Sequence, residues 1–235
     1  VGTNNAENNG DRTNTFAHNA TLNNCYYLNA CGTAQGTQVT ADQLKFGEVT
    51  YKLQNGRNMQ FWGQNLDTDN EPQLTADAAK HVYEVKFTYN NKVAATRYAN
   101  SGKTVSLPAL SKFLGEGYNP HHYYALAFGD GFTPTTPVDR DRSVPVTVTE
   151  KDYYEIASKE DWKAFRDIVY GGQNAVDAKM TADIDLGSDI AVVGTDGHKY
   201  AGTFDGQGHT LTVNWATDYI SQKAPFSDVD GATIK

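Results

Sequence analysis

The stretch from Ala178 onward constrains this chain more than any other: Ala178, Met180, Ala182, Ile184 and Leu186 alternate with Lys179, Thr181, Asp183 and Asp185. Successive side chains of a strand point to opposite faces, so a run of period two buries one face and wets the other. The pattern returns at Leu211, Val213 and Trp215, and Phe204-Asp-Gly-Gln-Gly-His209 stands between the two runs. Glycine accepts the positive φ of a sharp corner, so Gly206 and Gly208 predict turns that deliver one strand-bearing segment beside the next.

A helix is expected just upstream. Ser158-Lys-Glu-Asp161 is a capping box in a looser form, Trp162, Phe165, Ile168 and Val169 share a face, and Gly171-Gly172 supplies the stop. Tyr153 to Ile156 opens this third unit, assigned to residues 150–235. Between 81 and 149 the pattern is that of a small antiparallel β-domain. Val82–Tyr89 is followed by an Asn90-Asn91 turn, then by strands at Val93–Tyr98, Thr104–Pro108, Tyr123–Phe128 and Ser143–Val148. Pro145 lacks an N–H and places the last of these at a sheet edge.

Residues 1–80 form the first unit. Its opening is crowded with Asn, Thr and Gly, its first clear strand is Leu22–Leu28, and Thr40-Ala-Asp-Gln43 is a helix N-cap box. Leu44, Val49 and Leu53, interrupted by Gly47, predict one or two short helices ending at Asn55-Gly56. Asp67-Thr-Asp-Asn70 reads as turns.

The 28 acidic against 20 basic residues, net charge -8, leave no cationic run dense enough to neutralise a phosphate backbone, which argues against nucleic acid as a partner. No stretch approaches the roughly 20 apolar residues of a membrane span. Both ends read as cut points in a longer polypeptide. Cys25 and Cys31 are too few for a zinc site and would lie about 20 Å apart in a straight strand at ~3.3 Å per residue, so a disulfide needs a turn near Asn29-Ala30. A disulfide and a pair of buried free thiols both stay open.

Met180-Thr-Ala-Asp-Ile-Asp-Leu-Gly187, Tyr200-Ala-Gly-Thr-Phe-Asp-Gly-Gln-Gly-His-Thr-Leu211 and Phe226-Ser-Asp-Val-Asp-Gly-Ala-Thr-Ile234 together resemble the opening coils of GLUG-motif bacterial surface proteins. Asn24-Cys-Tyr-Tyr-Leu28, Thr40-Ala-Asp-Gln-Leu44, Gly47-Glu-Val-Thr-Tyr51 and Phe61-Trp-Gly-Gln64 resemble the segment that follows the last coil. The resemblance implies a mainly β chain: parallel right-handed β-helix (solenoid) coils with short capping helices, and between them a small antiparallel β-sandwich or β-grasp spacer. It also leaves open a single shortened solenoid made of the first and third units. The function implied is a non-catalytic structural or adhesive segment of an exported bacterial protein, secreted or at the cell surface. Its partners would be other parts of the same long polypeptide, and host or dietary glycans or surface proteins.

Two further functions compete with that expectation. A carbohydrate-binding module would use exposed aromatics, with Trp62, Tyr118, Tyr123 and Tyr124 the candidate platform and Trp215 beside them, although the alternation favours core positions for most. A polysaccharide-cleaving enzyme would draw on Asp183, Asp185, Asp196 and Asp205, of which Asp183 and Asp185 fall on one strand face about 7 Å apart; solvated carboxylates are the commoner reading. No cofactor is expected. Ca²⁺ is the one cation considered, at Asp67-Thr-Asp-Asn70 or Asp139-Arg-Asp141, and neither matches an EF-hand loop. His121 and His122 point to opposite faces if extended, so they do not share an ion easily.

Overall fold

Strand outweighs helix, 32% to 17%, in several small sheets with no closed barrel, in a computed structural model that describes residues 21–29, 33–215 and 224–235. The chain divides into two compact units. One holds the described residues up to Lys112 together with Phe128–Val146. The other holds Phe113–Ala127 and the described residues from Thr147 to Lys235.

In the first unit the strand expected over 22–28 shrinks to β1 (Tyr26–Tyr27), paired in parallel with β2 (Thr37–Gln38). Gly36, at φ +76°, makes the approach possible, since a Cβ there would meet the Cys25 carbonyl oxygen at 2.4 Å. Thr40 and Gln43 form the full capping box of α1 (Ala41–Lys45). Left-handed Gly47 then breaks the helix before α2 (Glu48–Gln54), as the interrupted spacing predicts. Val39, Leu44, Val49 and Leu53 make the small core, with Tyr26, Leu28 and Trp62 packed on it.

A short hairpin, β3 (Trp62–Gly63) with β4 (Gln73–Leu74), lies against α2. Gln64, fully buried, accepts from the Thr50 hydroxyl at 2.5 Å and donates toward the carbonyls of Leu44, Lys45 and Asp69. An amide can be buried there because its hydrogen-bonding capacity is used.

β5 (Val82–Tyr89) and β6 (Lys92–Asn100) form the expected hairpin, with Asn90 and Asn91 both at positive φ as a two-residue turn matched to strand twist requires. The expected strand at Thr104–Pro108 does not form; that segment is irregular and precedes α3 (Ser111–Leu114). β7 (Tyr123–Phe128) and β8 (Arg142–Lys151) complete a sheet of order β6-β5-β8-β7. This corrects two expectations. β8 runs parallel to β5, so the sheet is mixed, and Pro145 sits in an interior strand. The ladder to β5 ends at the pair Thr88↔Pro145, where a missing N–H costs little, and the Pro145 carbonyl still accepts from Gly129 N at 2.8 Å.

The second unit continues with β9 (Tyr154–Ile156) and α4 (Lys159–Tyr170). Ser158 caps the helix by accepting from Asp161 N, and Gly171 ends it. Then come β10 (Ala178–Met180), β11 (Ile184–Gly187), β12 (Thr203–Asp205), β13 (Leu211–Val213) and β14 (Thr233–Ile234). They make two parallel ladders, β14-β12-β10-β9 and β11-β13. The register aligns Tyr154, Ala178, Phe204 and Ile234, and aligns Ile184 with Leu211.

Parallel bridges Val193↔Phe226 and Tyr200↔Val229 extend the same stacking. Gly202 permits it, because a Cβ there would stand 2.3 Å from the Val176 carbonyl oxygen. The positive φ at the second corner belongs to Gln207 and Gly208, while Gly206 serves by donating its N–H to the Lys235 carbonyl at 2.7 Å. Inside lie Ile156, Trp162, Phe165, Val169, Met180, Leu186 and Tyr200, each 2% exposed or less.

Candidate functional site

The outward face of the parallel ladder carries the polar chemistry of the second unit. Lys179 stands opposite Glu155 on one neighbour and Asp205 on the other, and Lys235 reaches Asp205 at 3.4 Å. The charges therefore alternate from strand to strand, each facing an opposite one. A cleft of about 510 Å³ opens on this face, lined by Asn119, His121, Asp152, Asp177, Lys179 and Asp205 among others.

Two of the acids tie one segment to the next in an equivalent way. Asp177 Oδ1 accepts from Thr203 N at 2.7 Å, and Asp183 Oδ1 accepts from Thr210 N at 2.9 Å. Each Asp stands just before a strand, and its Thr partner holds the matching register position on the following segment. A His ring closes each pair, His121 Nδ1 on Asp177 and His209 Nδ1 on Asp183, both at 3.2 Å. This recurrence of Asp immediately before an inward-facing residue is visible in the sequence and is the signal that would have identified Asp177.

The chemistry these acids can perform follows from their partners. The Thr210 N–H, with His209, holds the Asp183 carboxyl below its ordinary range, and the Gln207 N–H does the same for Asp205. Asp189 is pulled down to about 2 by Lys159 and Lys163, at 2.8 and 2.7 Å. A general acid needs the opposite shift. Asp185 Oδ1 accepts from Gly187 N at 2.8 Å and closes a turn, and Asp196 is exposed beside the Thr195–His198 bridge.

The remaining candidates are placed as follows. His122 turns to Glu150 at 2.6 Å, away from the carboxylate that holds His121. Among the described residues no group of three or more His, Cys, Asp or Glu converges as a metal site. In the first unit Asp67 faces Lys103, Asp69 faces Lys80, Asp139 faces Arg140 and Arg142, and Asp141 accepts from Tyr51 and from Glu84 N. Their oxygens are answered by the protein's own donors.

Tyr118 lies 5.5 Å from Tyr124, but Tyr124 is buried with its hydroxyl on Glu150. Tyr123 packs edge-on against Tyr154 at 4.9 Å, and Trp62 belongs to the other unit, on its core. Within the second unit Tyr118, Tyr123 and Tyr124 do not make one flat face. Trp215 is half-buried on the core, its indole donating to the Asp189 carbonyl at 3.0 Å. The Cys25 thiol donates to Asn23 O at 3.5 Å, and Cys31 lies outside the described residues, as does any pairing with it. Among the described residues no helix is long and apolar enough to cross a membrane.

Comparison with protein-family models, with curated proteins and with solved structures finds no match.

Proposed function

We propose that residues from Tyr154 onward are the opening coils of a right-handed parallel β-helix of the GLUG-motif kind, and that the chain is a non-catalytic structural or adhesive segment of an exported bacterial surface protein. The observation that carries this reading is the repeated register. Tyr154, Ala178 and Phe204 align over three successive segments, and Asp177 and Asp183 are each bonded to a backbone amide of the next segment. α4, with Trp162, Phe165 and Val169 in the core, then serves as the cap of the first coil. The order β6-β5-β8-β7, with β8 parallel to β5 and interior to the sheet, supports a β-grasp spacer over a sandwich. The parallel β1–β2 pair is consistent with the end of another coil stack.

Dilute trypsin tests the rigidity this role requires. Cleavage is expected to spare Lys163, Arg166 and Lys179 until late in the digest, whereas an early cut at Lys179 contradicts the coil stack. A polysaccharide-cleaving activity abolished by Asp183→Asn or Asp205→Asn would overturn the non-catalytic part.

A further inference from the structure

Just past α2 the chain reverses at Asn55-Gly56. Asn55 has φ -55° and ψ 136°, Gly56 has φ +77°, and Arg57 N donates to the Gln54 carbonyl at 3.2 Å, which together make a type II turn. Positive φ calls for glycine at the second central place. The peptide nitrogen that follows Asn55 is therefore shielded by no side chain of its own residue. We propose that Asn55-Gly56 is a site of spontaneous deamidation, where the folded chain converts to isoaspartate and aspartate.

The reaction needs an unbonded carboxamide, an accessible nitrogen on the next residue, and room to bring the two together. Asn55, Gly56 and Arg57 are all exposed. Among the described residues neither the Asn55 carboxamide nor the Gly56 N–H has a hydrogen-bond partner, and a Cβ built at Gly56 would meet nothing within 4 Å. At ψ 136° the Gly56 nitrogen does not face Asn55 Cγ, so the peptide between them must rotate first. Glycine follows that rotation at little cost, and the bond given up, Arg57 N to Gln54 O, is at the long end of its class. The loop stays anchored meanwhile, because Gln54 Oε1 accepts from Phe61 N and Trp62 N and its Nε2 donates to Met59 O.

The Gly56 nitrogen loses its proton to solvent base and attacks Asn55 Cγ. An N–Cγ bond forms, the Cγ–Nδ2 bond breaks, and ammonia departs after taking a proton from solvent, leaving a five-membered succinimide. Water then opens the ring. Addition at the backbone carbonyl gives isoaspartate, with the main chain routed through the side chain, and addition at Cγ gives aspartate. Asn100-Ser101 is the contrasting case. Ser101 is also small, but Asn100 is buried, its Oδ1 accepting from Leu66 N at 2.9 Å and its Nδ2 donating to Gln64 O at 2.6 Å. Asn90 and Asn91 are followed by Asn and Lys, whose side chains crowd the attacking nitrogen.

The test ages the whole chain in buffer near neutrality and at mildly alkaline pH. It is then digested under mildly acidic conditions and mapped by mass spectrometry with fragmentation that separates isoaspartate from aspartate. The peptide carrying Asn55 is expected to show the mass change of NH replaced by O, with isoaspartate the larger product, faster at the higher pH, while Asn100 stays intact. Gly56→Ala should slow the conversion at least severalfold, and Asn55→Gln should abolish it, with circular dichroism showing that both variants keep the fold. Asn9-Gly10, the chain's other Asn-Gly pair, lies outside the described residues and reports on the same chemistry in the same digest. Conversion at Asn9 without conversion at Asn55, conversion at neither, a rate at Asn55 no greater than at Asn100, or a rate that Gly56→Ala leaves unchanged overturns the proposal.

Discussion

Gly202 and Gly208 separate two reasons for glycine that look alike in a sequence. At Gly202 the obstacle is contact, because a Cβ would lie 2.3 Å from one carbonyl oxygen and 2.7 Å from another on the preceding segment. At Gly208 it is backbone angle alone, since φ is +78° and the space around it is open. Gly202→Ala should therefore cost about 3 kcal/mol or more, as overpacking against backbone does. Gly208→Ala should cost about 1 kcal/mol. Urea unfolding of the two variants measures the difference, and equal losses would contradict the close approach of segments.

The carboxylates make a second prediction at this scale. Asp183, Asp189 and Asp205 are held below their ordinary range when folded, as is Glu150 by His122 and Tyr124. A depressed folded pKa means the unfolded chain binds the proton more readily. Their contribution is thus present above the usual carboxylate range, near 4, and lost as pH falls through it toward about 2. Burial of His81 lowers its imidazole pKa, so the urea midpoint should slip slightly below about pH 6.5 and decline further below about pH 4 as the carboxylates protonate. A midpoint unchanged at pH 3 would show that these contacts do not matter.

Among the elements, α4 was the most legible, because its cap, apolar face and glycine stop are all local. Trp162 is fully buried and its indole donates to the Ala191 carbonyl at 2.7 Å. Trp162→Ala should cost about 3–5 kcal/mol, whereas Ser158→Ala should cost about 1 kcal/mol. Thermal melts of both variants check the ranking. What local pattern did not encode was the partner of each strand. A proline's missing N–H is local and points to a sheet edge, but the end of the β5 ladder that makes Pro145 harmless is set by a segment more than fifty residues earlier. Thr104–Pro108 has strand-like composition and no partner in register, so it stays irregular. The buried Gln64 was invisible for a similar reason, since its acceptors come from α1 and from the Asn65–Asp69 turn.

At the scale of the whole molecule, the sequence indicated that strands dominate and that the segment beyond residue 175 repeats. The alternation that marks an inward face carries over from residue to register, because identical inward positions are the cheapest to stack. The candidate sites were far less legible. Residue type alone groups Trp62, Tyr118, Tyr123 and Tyr124, whereas Tyr124 is buried and Trp62 packs on the core of Val39, Leu44, Val49 and Leu53.

Successive segments of the second unit lie side by side in the same direction. Backbone nuclear Overhauser contacts across the strands test this most directly. Parallel-type contacts are expected linking Ala178 with Phe204 and Ile184 with Leu211. Antiparallel contacts joining β10 to β11, or β12 to β13, as neighbouring hairpins would contradict it.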